Sequence, residues 1–442
     1  MSTTSVQGSL ADIKRLIDRI GADPEFHQRL LIDPSEATRA YGFDKDFGRE
    51  LWDPSWREKS EVGEAYRELI RGKLALREKM RSSAPAHHPG YQQWRQRQIA
   101  RVHLELGQGR AETIIHAPMC FELNKGCSVG CWFCGISAPK LSDIWEYTPE
   151  NAALWKETLA ILKDVVGPLS RYGFCYWATD PLDNPDYEQF CCDYHDILGV
   201  FPQTTTALGL KYPDRVRSLL KTSTERGCDL NRFSLLSLKM FLKAQEIYTA
   251  EELLHVECIP QNKESSLTMA RAGKAAERHE KGGVSDYAGT IACVSGFLFN
   301  MVDRSWKLIT PCASSEAWPL GYWVVAQSTF ADGPELKTQV TGVLDSLATD
   351  VHQLPRLRFA RYLEYRETAE GIELASPCAT LLVRHPRPEF IQGLGRLVRD
   401  GLHDAGELEM LALFSLGVSA DEIKEQLQLL FDQGALDEDP AA

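Results

Sequence analysis

The chain has 442 residues, which is more than one hydrophobic core usually holds, so we expect two or three domains. Forty-nine basic and sixty-two acidic residues give a formal net charge of −13, which argues against a nucleic-acid partner. The first ten residues are polar and no apolar run is as long as a membrane span, so the sequence predicts no secretory signal and no membrane partner. The twelve cysteines are scattered, which favours the reducing cytoplasm over a disulfide framework.

A helical N-terminal region is predicted for residues 1–110. Between residues 9 and 43, apolar side chains recur at helical spacing behind Ser9, and two Asp-Pro pairs are typical helix starts. This 9–43 unit resembles the small helical leader segments of precursors of ribosomally made peptide natural products. The alternative is an ordinary helical cap on a larger domain.

Residues 111–345 form the second predicted domain, in which strands and helices alternate. Its first strand, Met119 to Leu123, leads into Cys127-Ser-Val-Gly-Cys131-Trp-Phe-Cys134, so three thiols lie within eight residues at the C-terminal end of a strand. Three thiolates can bind three irons of a [4Fe-4S] cluster and leave the fourth iron open, whereas ferredoxins supply a fourth thiolate and zinc ribbons use two distant pairs. A structural zinc ion, or three unrelated buried cysteines, is the alternative.

This cysteine loop resembles the signature loop of radical S-adenosylmethionine (SAM) enzymes. The resemblance implies that Cys127, Cys131 and Cys134 bind a [4Fe-4S] cluster, and that the open iron is chelated by the amino and carboxylate groups of SAM. It also implies that Phe133 lies against the adenine of SAM. The implied cofactors are therefore the [4Fe-4S] cluster and SAM.

Two further SAM-binding segments follow from the same resemblance. Radical SAM enzymes carry a Gly-Gly-Glu-Pro turn after the second strand, and Ala178-Thr179-Asp180-Pro181 falls at the matching place, without the glycines and with aspartate for glutamate. The resemblance thus implies SAM contacts from Ala178, Thr179 and Asp180, and by analogy from Ser234 on the predicted fourth strand. A generic strand-to-helix turn and an ordinary strand serine are the alternatives.

The predicted architecture of residues 111–345 is an α/β fold, a partial (β/α)6 radical SAM barrel that is open on one side to admit a peptide. A helix is predicted from Pro149 to Val166. After the first strand, the predicted strands are Tyr172 to Ala178, Gln203 to Leu208, Arg232 to Leu238 and Leu253 to Ile259, followed by a hairpin of Thr290 to Val302 and Trp306 to Thr310.

A small α+β module is predicted for residues 346–442. Strands at 359–366, 372–375 and 379–383 precede helices at 389–402, 406–414 and 420–431. This order resembles the winged-helix-like modules that bind leader peptides in peptide-maturation enzymes by adding the leader as an extra strand. A winged-helix-like fold used only for packing is the alternative.

The late cysteines indicate the type of radical chemistry. Only Cys378 follows Cys312, whereas cross-linking maturases usually carry a C-terminal region of seven cysteines. The motif Phe121-Glu-Leu-Asn-Lys-Gly-Cys127, the Trp94-Arg-Gln-Arg-Gln lead-in and the isolated late cysteine resemble the peptide epimerases that act on proteusin-type precursors. In that family a 5′-deoxyadenosyl radical removes an α-hydrogen from an L-residue, and a cysteine thiol returns hydrogen from the other face.

Cys378 best matches the hydrogen-atom donor of that family, and Cys312 is the second choice. The implied partners are a ribosomal precursor peptide with a leader and an electron donor such as a flavodoxin or ferredoxin. A radical SAM maturase that forms thioether or carbon–carbon links is one alternative, and a non-catalytic leader-peptide-binding protein is another.

Overall fold

In a computed structural model of the protein, the described residues are 8–39, 41–42, 44–82, 85–228, 230–262, 264–278 and 284–441. Ala40 and Phe43, which belong to the predicted leader-like unit, lie outside the described residues. Within the described part of the chain, no helix is both long and apolar enough to cross a membrane. The predicted domain boundaries at residues 110 and 345 stay predictions.

Among the described residues, the N-terminal part of the chain consists mainly of helices and turns. The start of α1 is fixed by a capping box in which the Ser9 hydroxyl accepts from the Asp12 amide, while the Asp12 carboxylate accepts from the Ser9 amide. The described helices of this region are α1 (Leu10–Ala22), α2 (Pro24–Ile32), α3 (Pro34–Arg39), α4 (Glu61–Ser82), α5 (Pro89–Leu106) and α6 (Gln108–Ala111).

The central region alternates short strands with helices. Helix α7 (Pro149–Val166) has the predicted bounds, with Thr148 as its N-cap and Pro149 in its first turn. The other elements are β1 (Ala117–Glu122), β2 (Asn124–Lys125), β3 (Asp143–Ile144), α8 (Tyr187–Leu198), β4 (Thr205–Thr206), α9 (Pro213–Glu225), β5 (Asn231–Leu235), α10 (Leu238–Ile247), β6 (Val256–Pro260), β7 (Met269–Arg271), α11 (Gly273–Ala276), β8 (Val284–Ala288), β9 (Val294–Asn300), β10 (Ser305–Pro311), β11 (Tyr322–Thr329) and α12 (Gly333–Asp345).

The leader-like unit packs against this central region. The Lys14 ammonium donates to the carbonyl of Val256 at 2.8 Å, and the Asn262 amide donates to the carbonyl of Ala22 at 3.0 Å. Lys14 is buried and is paired with Asp18 at 2.5 Å, so its charge is compensated at the contact. The unit therefore packs against β6 and the residues that follow it.

The strands form a mixed α/β arrangement with no closed barrel among the described residues. One sheet has the order β1-β9-β10-β11, with β9 parallel to β1 and antiparallel to β10, and a separate parallel sheet has the order β4-β5-β6. The predicted β9–β10 hairpin is confirmed, and its first strand, β9, pairs with β1 and β10 and not with β6.

Strand β9 lies between β1 and β10 in the first sheet. Six of its seven residues are buried, a pattern typical of a strand that is covered on both faces.

The predicted second strand, Tyr172 to Ala178, is also corrected. It makes one parallel bridge, between Phe174 and Cys120, and is otherwise irregular. Phe174 and Trp177 are buried in an apolar cluster with side chains of β1, β9 and β10, so their burial does not require a continuous strand.

The C-terminal module has its own hydrophobic core, which runs from Val351 to Leu436. The predicted first strand starts later than expected, since residues 359–363 are not in a strand. The elements are β12 (Glu364–Thr368), β13 (Gly371–Ala375), β14 (Thr380–Arg384), α13 (Pro388–Asp400), α14 (Ala405–Leu416) and α15 (Ala420–Asp432), with the strands in one antiparallel sheet of order β12-β13-β14.

Helix α5 connects the C-terminal module to the central region. Arg97 forms an ion pair with Glu438 at 2.7 Å, and its guanidinium lies 3.8 Å from the ring centre of Phe431. One turn later, the Arg101 guanidinium lies 3.8 Å from the ring centre of Trp323 on β11. The Trp94-Arg-Gln-Arg-Gln segment thus has a structural role in joining the two parts of the chain.

Candidate active site

The cysteine loop begins directly after β1 and is closed at its base by a short ladder. Strands β2 and β3 pair in antiparallel fashion, the Cys127 amide donates to the Pro139 carbonyl at 3.0 Å, and the Leu141 amide donates to the Cys127 carbonyl at 3.2 Å. Gly126 has φ +86°, and a Cβ on it would lie 2.4 Å from the Lys140 carbonyl oxygen. Only glycine fits there, so the sequence fixes how tightly the loop closes.

The three thiols of this loop are half-buried. The Ala138 amide donates to the Cys134 sulfur at 3.3 Å, and the backbone amides of Val129 and Gly130 partly offset the rise in the pKa of Cys127. Burial raises the pKa of Cys127, and burial together with the two neighbouring thiols raises the pKa of Cys131 to about 11. Three crowded thiolates would repel one another, and a positively charged iron centre would remove that repulsion.

The donor set of the loop fits an iron–sulfur cluster. Thiolates are the usual ligands of such clusters, and amide N–H groups directed at the sulfurs are a typical means of stabilising them. Among the described residues, no group of three His, Cys, Asp or Glu side chains is close enough to bind one shared metal ion. Cys127, Cys131 and Cys134 stay predicted ligands.

The segment from Ala178 to Asp183 packs directly on the cysteine loop. The side-chain amide of Asn124 donates to the Thr179 hydroxyl at 2.9 Å and to the Asp180 carbonyl at 3.2 Å. Ser128, between the first two cysteines, donates to the Asp183 carboxylate through both its amide and its hydroxyl. The structure therefore brings the predicted SAM-binding turn and the predicted cluster loop together.

Both carboxylate oxygens of Asp180 accept hydrogen bonds from within the protein. Its carboxylate accepts from the Thr206 hydroxyl at 2.7 Å, from the Leu182 amide at 3.0 Å and from the Ala207 amide at 2.7 Å. Its side chain is buried, and this burial raises the pKa of Asp180 to about 6. The geometry gives Asp180 a structural role, as the link between the turn and β4, and its contact with SAM stays a prediction.

The other predicted SAM contacts are more dispersed. Phe133 is buried within the cysteine loop, where its ring meets Trp132 edge to face at 5.4 Å. The Ala178 amide donates to the Glu122 carboxylate at 3.0 Å. Ser234 is half-buried on β5, which belongs to the other sheet, and no hydrogen bond among the described residues joins it to the cysteine loop.

Glu122 is a candidate site residue that the sequence analysis did not select. Its carboxylate accepts from the Ala178 amide and from the Asn300 side chain at 2.8 Å, so it ties together the ends of β1, β9 and the intervening segment. Burial raises its pKa. The available signal was a carboxylate at the end of an otherwise apolar strand, immediately before the cysteine motif.

The two predicted donor cysteines have opposite environments. Cys312 is buried after β10, and burial raises the pKa of its thiol. Cys378 is exposed in the turn between β13 and β14, where its amide donates to the Ser376 hydroxyl at 3.1 Å. This turn packs on Gly107 at the end of α5, because a Cβ on Gly107 would lie only 3.0 Å from the Cys378 Cβ.

A cavity of about 680 Å³ is lined by residues from the end of α5, from α6 and from the segments that contain β7 and β8. Leu106, the neighbour of Gly107, is one of them, as are Ala270 and Thr290. Just beyond Ala270, the Lys274 amide donates to the Cys134 carbonyl at 3.0 Å. Segments that adjoin the cavity in sequence thus contact the cysteine loop, through Lys274, and the Cys378 turn, through Gly107.

No protein-family model matches the chain. Among solved structures, BtrN in complex with AdoMet and 2-DOIA is similar over 42% of this chain and 71% of that chain, at 14% identity and a TM-score of 0.31, which is too low to support a fold or a function. The chain is 36% identical over 466 aligned positions to the "Uncharacterized protein y4wI" of Sinorhizobium fredii, and the alignment covers 99% of this chain and 89% of the relative. The protein therefore belongs to the same family as y4wI of Sinorhizobium fredii.

Proposed function

We propose that the protein is a radical SAM enzyme that converts L-residues of a ribosomal precursor peptide into D-residues. The observation that carries the proposal is the loop after β1, which presents Cys127, Cys131 and Cys134 beside a tightly attached turn from Ala178 to Asp183. When bound, the [4Fe-4S] cluster and SAM would supply a 5′-deoxyadenosyl radical that can remove hydrogen from a peptide α-carbon.

Within this proposal the chain's own residues position the reactants. Glu122 and Asn124 hold the turn against the loop, and the Ser128–Asp183 contact holds the loop against the turn. A small displacement of such positioning residues is costly for a reaction that depends on orientation. The polar contacts around the loop are consistent with this need for rigidity.

Cys378 is the proposed hydrogen-atom donor. It is exposed, so its S–H group exchanges with solvent, and its turn packs on Gly107, the residue after Leu106, which lines the cavity. On donation the S–H bond breaks and a C–H bond forms at the α-carbon, which leaves a sulfur radical; the proposed flavodoxin- or ferredoxin-type electron donor would return one electron and solvent one proton before the next turnover. Cys312 is the second candidate, and its burial makes it the weaker one.

The proposed partners are the precursor with its leader and an electron donor of the flavodoxin or ferredoxin type. The C-terminal module is the proposed leader-binding part, and exposed apolar side chains on α14 support it: Phe414 is 80% exposed and Met410 57%. All twelve cysteines are free, which supports a reducing cytoplasmic location.

The test of the proposed function is anaerobic reconstitution with iron and sulfide, followed by incubation with SAM, a reductant and a precursor peptide in heavy water. An epimerase is expected to yield 5′-deoxyadenosine and a peptide that carries one deuterium per D-residue. A peptide that has lost two hydrogens per modification would indicate cross-linking instead. A protein that binds the leader but forms no 5′-deoxyadenosine under any reducing condition would be a non-catalytic leader-binding protein.

A further inference from the structure

A second cavity, of about 230 Å³, lies between α4 and the central region. On the side of the central region, its lining includes residues that precede strands: Ile115 before β1, Phe201 before β4 and Leu230 before β5. Leu76 and Met80 of α4 line the other side. The cysteine loop follows the C-terminal end of β1, so this cavity lies at the opposite end of that strand and is separate from the candidate active site.

The lining of this cavity is positively charged. Four of the described lining residues are cationic and none is acidic, although the whole chain has a formal net charge of −13. Three of the four are arginines: Arg77 on α4, Arg171 after α7 and Arg232 on β5. A positive lining in an acidic protein favours an anionic ligand.

The protein neutralises these arginines only in part. Glu257 pairs with Arg232 at 2.7 Å, with Arg77 at 3.6 Å and with Lys73 at 3.9 Å, so three cations share one carboxylate. Arg171 is exposed and forms no ion pair with the described part of the chain. The described residues therefore supply fewer carboxylates than guanidinium groups at this cavity.

One nitrogen of Arg77 has no hydrogen-bond acceptor. Its Nε is buried and has no partner among the described residues. A buried N–H group without an acceptor is costly, and an oxygen bound beside it would remove that cost. The planar guanidinium group also matches a carboxylate, because two parallel N–H groups can donate to the two oxygens. Arg77 is therefore suited to bind a carboxylate.

Much of the remaining lining is apolar. Phe174, Phe201, Ile115 and Leu230 are all buried and would contact hydrocarbon. An anion in such surroundings must be paired, and the arginines supply the partners. The volume is below the roughly 300–1,000 Å³ typical of sites for drug-sized molecules, which indicates a smaller ligand. The lining thus combines cations with a hydrocarbon-binding surface.

We propose that this cavity binds a small carboxylic acid with a short hydrocarbon chain. Its carboxylate pairs with Arg77 and Arg232, and its chain packs against Phe174 and Phe201. Arg171, on the exposed part of the lining, attracts the approaching anion. The acid joins α4 to the central region and is not a substrate of the radical reaction, so this inference does not depend on the proposed function.

The first experiment measures binding of hexanoate, octanoate and decanoate to the full chain by calorimetry. One saturable site is expected, with an affinity that rises about fourfold for each added methylene group, because each one buries more hydrocarbon. Octanamide has the same chain without the charge, so it should bind at least about tenfold more weakly than octanoate. No saturable binding by any of the three acids, or equal binding of octanoate and octanamide, would overturn the proposal.

The second experiment separates an apolar acid from a small anion. Acetate and inorganic phosphate lack the hydrocarbon chain, so each should bind at least about a hundredfold more weakly than octanoate. Phosphate binding as tight as that of octanoate would make this a simple anion site and contradict the proposal. Replacement of Cys127, Cys131 and Cys134 by serine should leave octanoate binding unchanged, whereas its loss would place the acid in the candidate active site instead.

The third experiment locates the site with charge-removing variants. Arg77→Gln should weaken octanoate binding at least about tenfold and Arg171→Gln about threefold, while octanamide binding stays unchanged in both. Arg71→Gln is the matched control, because it removes the same charge from α4 at a residue that pairs with Glu64 and Glu68 and does not line the cavity. Wild-type affinity for octanoate in the Arg77 variant, an equal loss in the Arg71 variant, or a parallel loss of octanamide binding would each rule out recognition of the carboxylate in this cavity.

Discussion

The Ser128 amide and hydroxyl both donate to the carboxylate of Asp183, at 2.9 and 2.5 Å respectively. Ser128 lies between Cys127 and Cys131, so this carboxylate holds the middle of the cysteine loop at a defined distance from the turn after the second apolar segment. The loop also carries an ion pair at its base, between Lys125 and Asp303 at 2.8 Å, in which both side chains are nearly half exposed. Asp183 and Asp303 both bind the loop through a carboxylate, so their alanine variants can be compared directly.

Asp183→Ala is expected to impair cluster retention. Loss of two charge-assisted hydrogen bonds frees the loop between two of the proposed ligands. We expect the variant to lose iron several times faster than wild type when an iron chelator is added, as followed by visible absorbance. Asp303→Ala is the control, because exposed ion pairs contribute little, and it should match wild type. Equal rates of loss in the Asp183 variant and in wild type would show that the clamp does not support the cluster.

Replacing all three loop cysteines by serine is expected to abolish the cluster and SAM cleavage while the chain still folds. The three thiols are half-buried, so their replacement by a similar side chain leaves the surrounding core intact. Iron content, visible absorbance and 5′-deoxyadenosine formation are the measurements, and circular dichroism checks the fold. Cluster-dependent 5′-deoxyadenosine formation by the triple variant would disprove the ligand assignment.

Asp180→Ala is expected to destabilise the fold. The Thr206 hydroxyl and the amides of Leu182 and Ala207 would each lose a buried acceptor. We expect a decrease of about 3 kcal/mol or more in the free energy of unfolding, as measured by denaturant titration. Asp214→Ala serves as the control, because that side chain is 99% exposed. An unfolding free energy equal to that of wild type would show that the Asp180 carboxylate is not a structural link.

The sequence predicts most helices and the cysteine loop well because their signals are local. The capping box at Ser9, the proline at the start of α7 and the glycine at position 126 each act on adjacent backbone. Strand pairing is not local. Nothing in the apolar run from Val294 to Phe299 indicates that its parallel partner is β1 and not β6, since that choice depends on how two distant faces are covered.

In the candidate site too, some features depend on local sequence and others on contacts between distant residues. The spacing of the cysteines is visible in the sequence, but two of the three donors to Asp180, the Thr206 hydroxyl and the Ala207 amide, are more than twenty residues away. From the sequence alone, the Asp180 carboxylate next to Pro181 is equally compatible with a ligand contact and with a helix N-cap. Only the position of Thr206 shows that the Asp180 oxygens are occupied.

The exposed apolar face of α14 is expected to bind the precursor leader. Deletion of residues 384–442 would remove most of the module's core as well as the Arg97–Glu438 ion pair, so a point variant is the better test. Phe414→Ser should weaken leader binding at least about tenfold in calorimetry, with an unchanged Tm. Ile32→Ser, at an 84% exposed position in the leader-like unit, is the control. A loss with the Ile32 variant alone would assign leader binding to the N-terminal unit.

The strongest prediction concerns the fate of the substrate radical in heavy water. A peptide α-carbon radical is nearly planar, so the side from which hydrogen returns sets the configuration. Because Cys378 is exposed and its S–H group exchanges with solvent, wild-type enzyme should place one deuterium at each inverted α-carbon. Cys378→Ala should still cleave SAM and still transfer peptide hydrogen to 5′-deoxyadenosine, but it should form few deuterated D-residues.

Cys312→Ala is the comparison that assigns the role. Its thiol is buried near Glu105 and Arg101, and burial raises its pKa, so we expect this variant to lose some stability while it retains most of the deuterated product. Both variants would be measured with one precursor, by mass spectrometry and chiral analysis of the hydrolysate. Full deuterium incorporation by the Cys378 variant would remove that thiol from the mechanism, and failure of the Cys312 variant alone would transfer the role to Cys312.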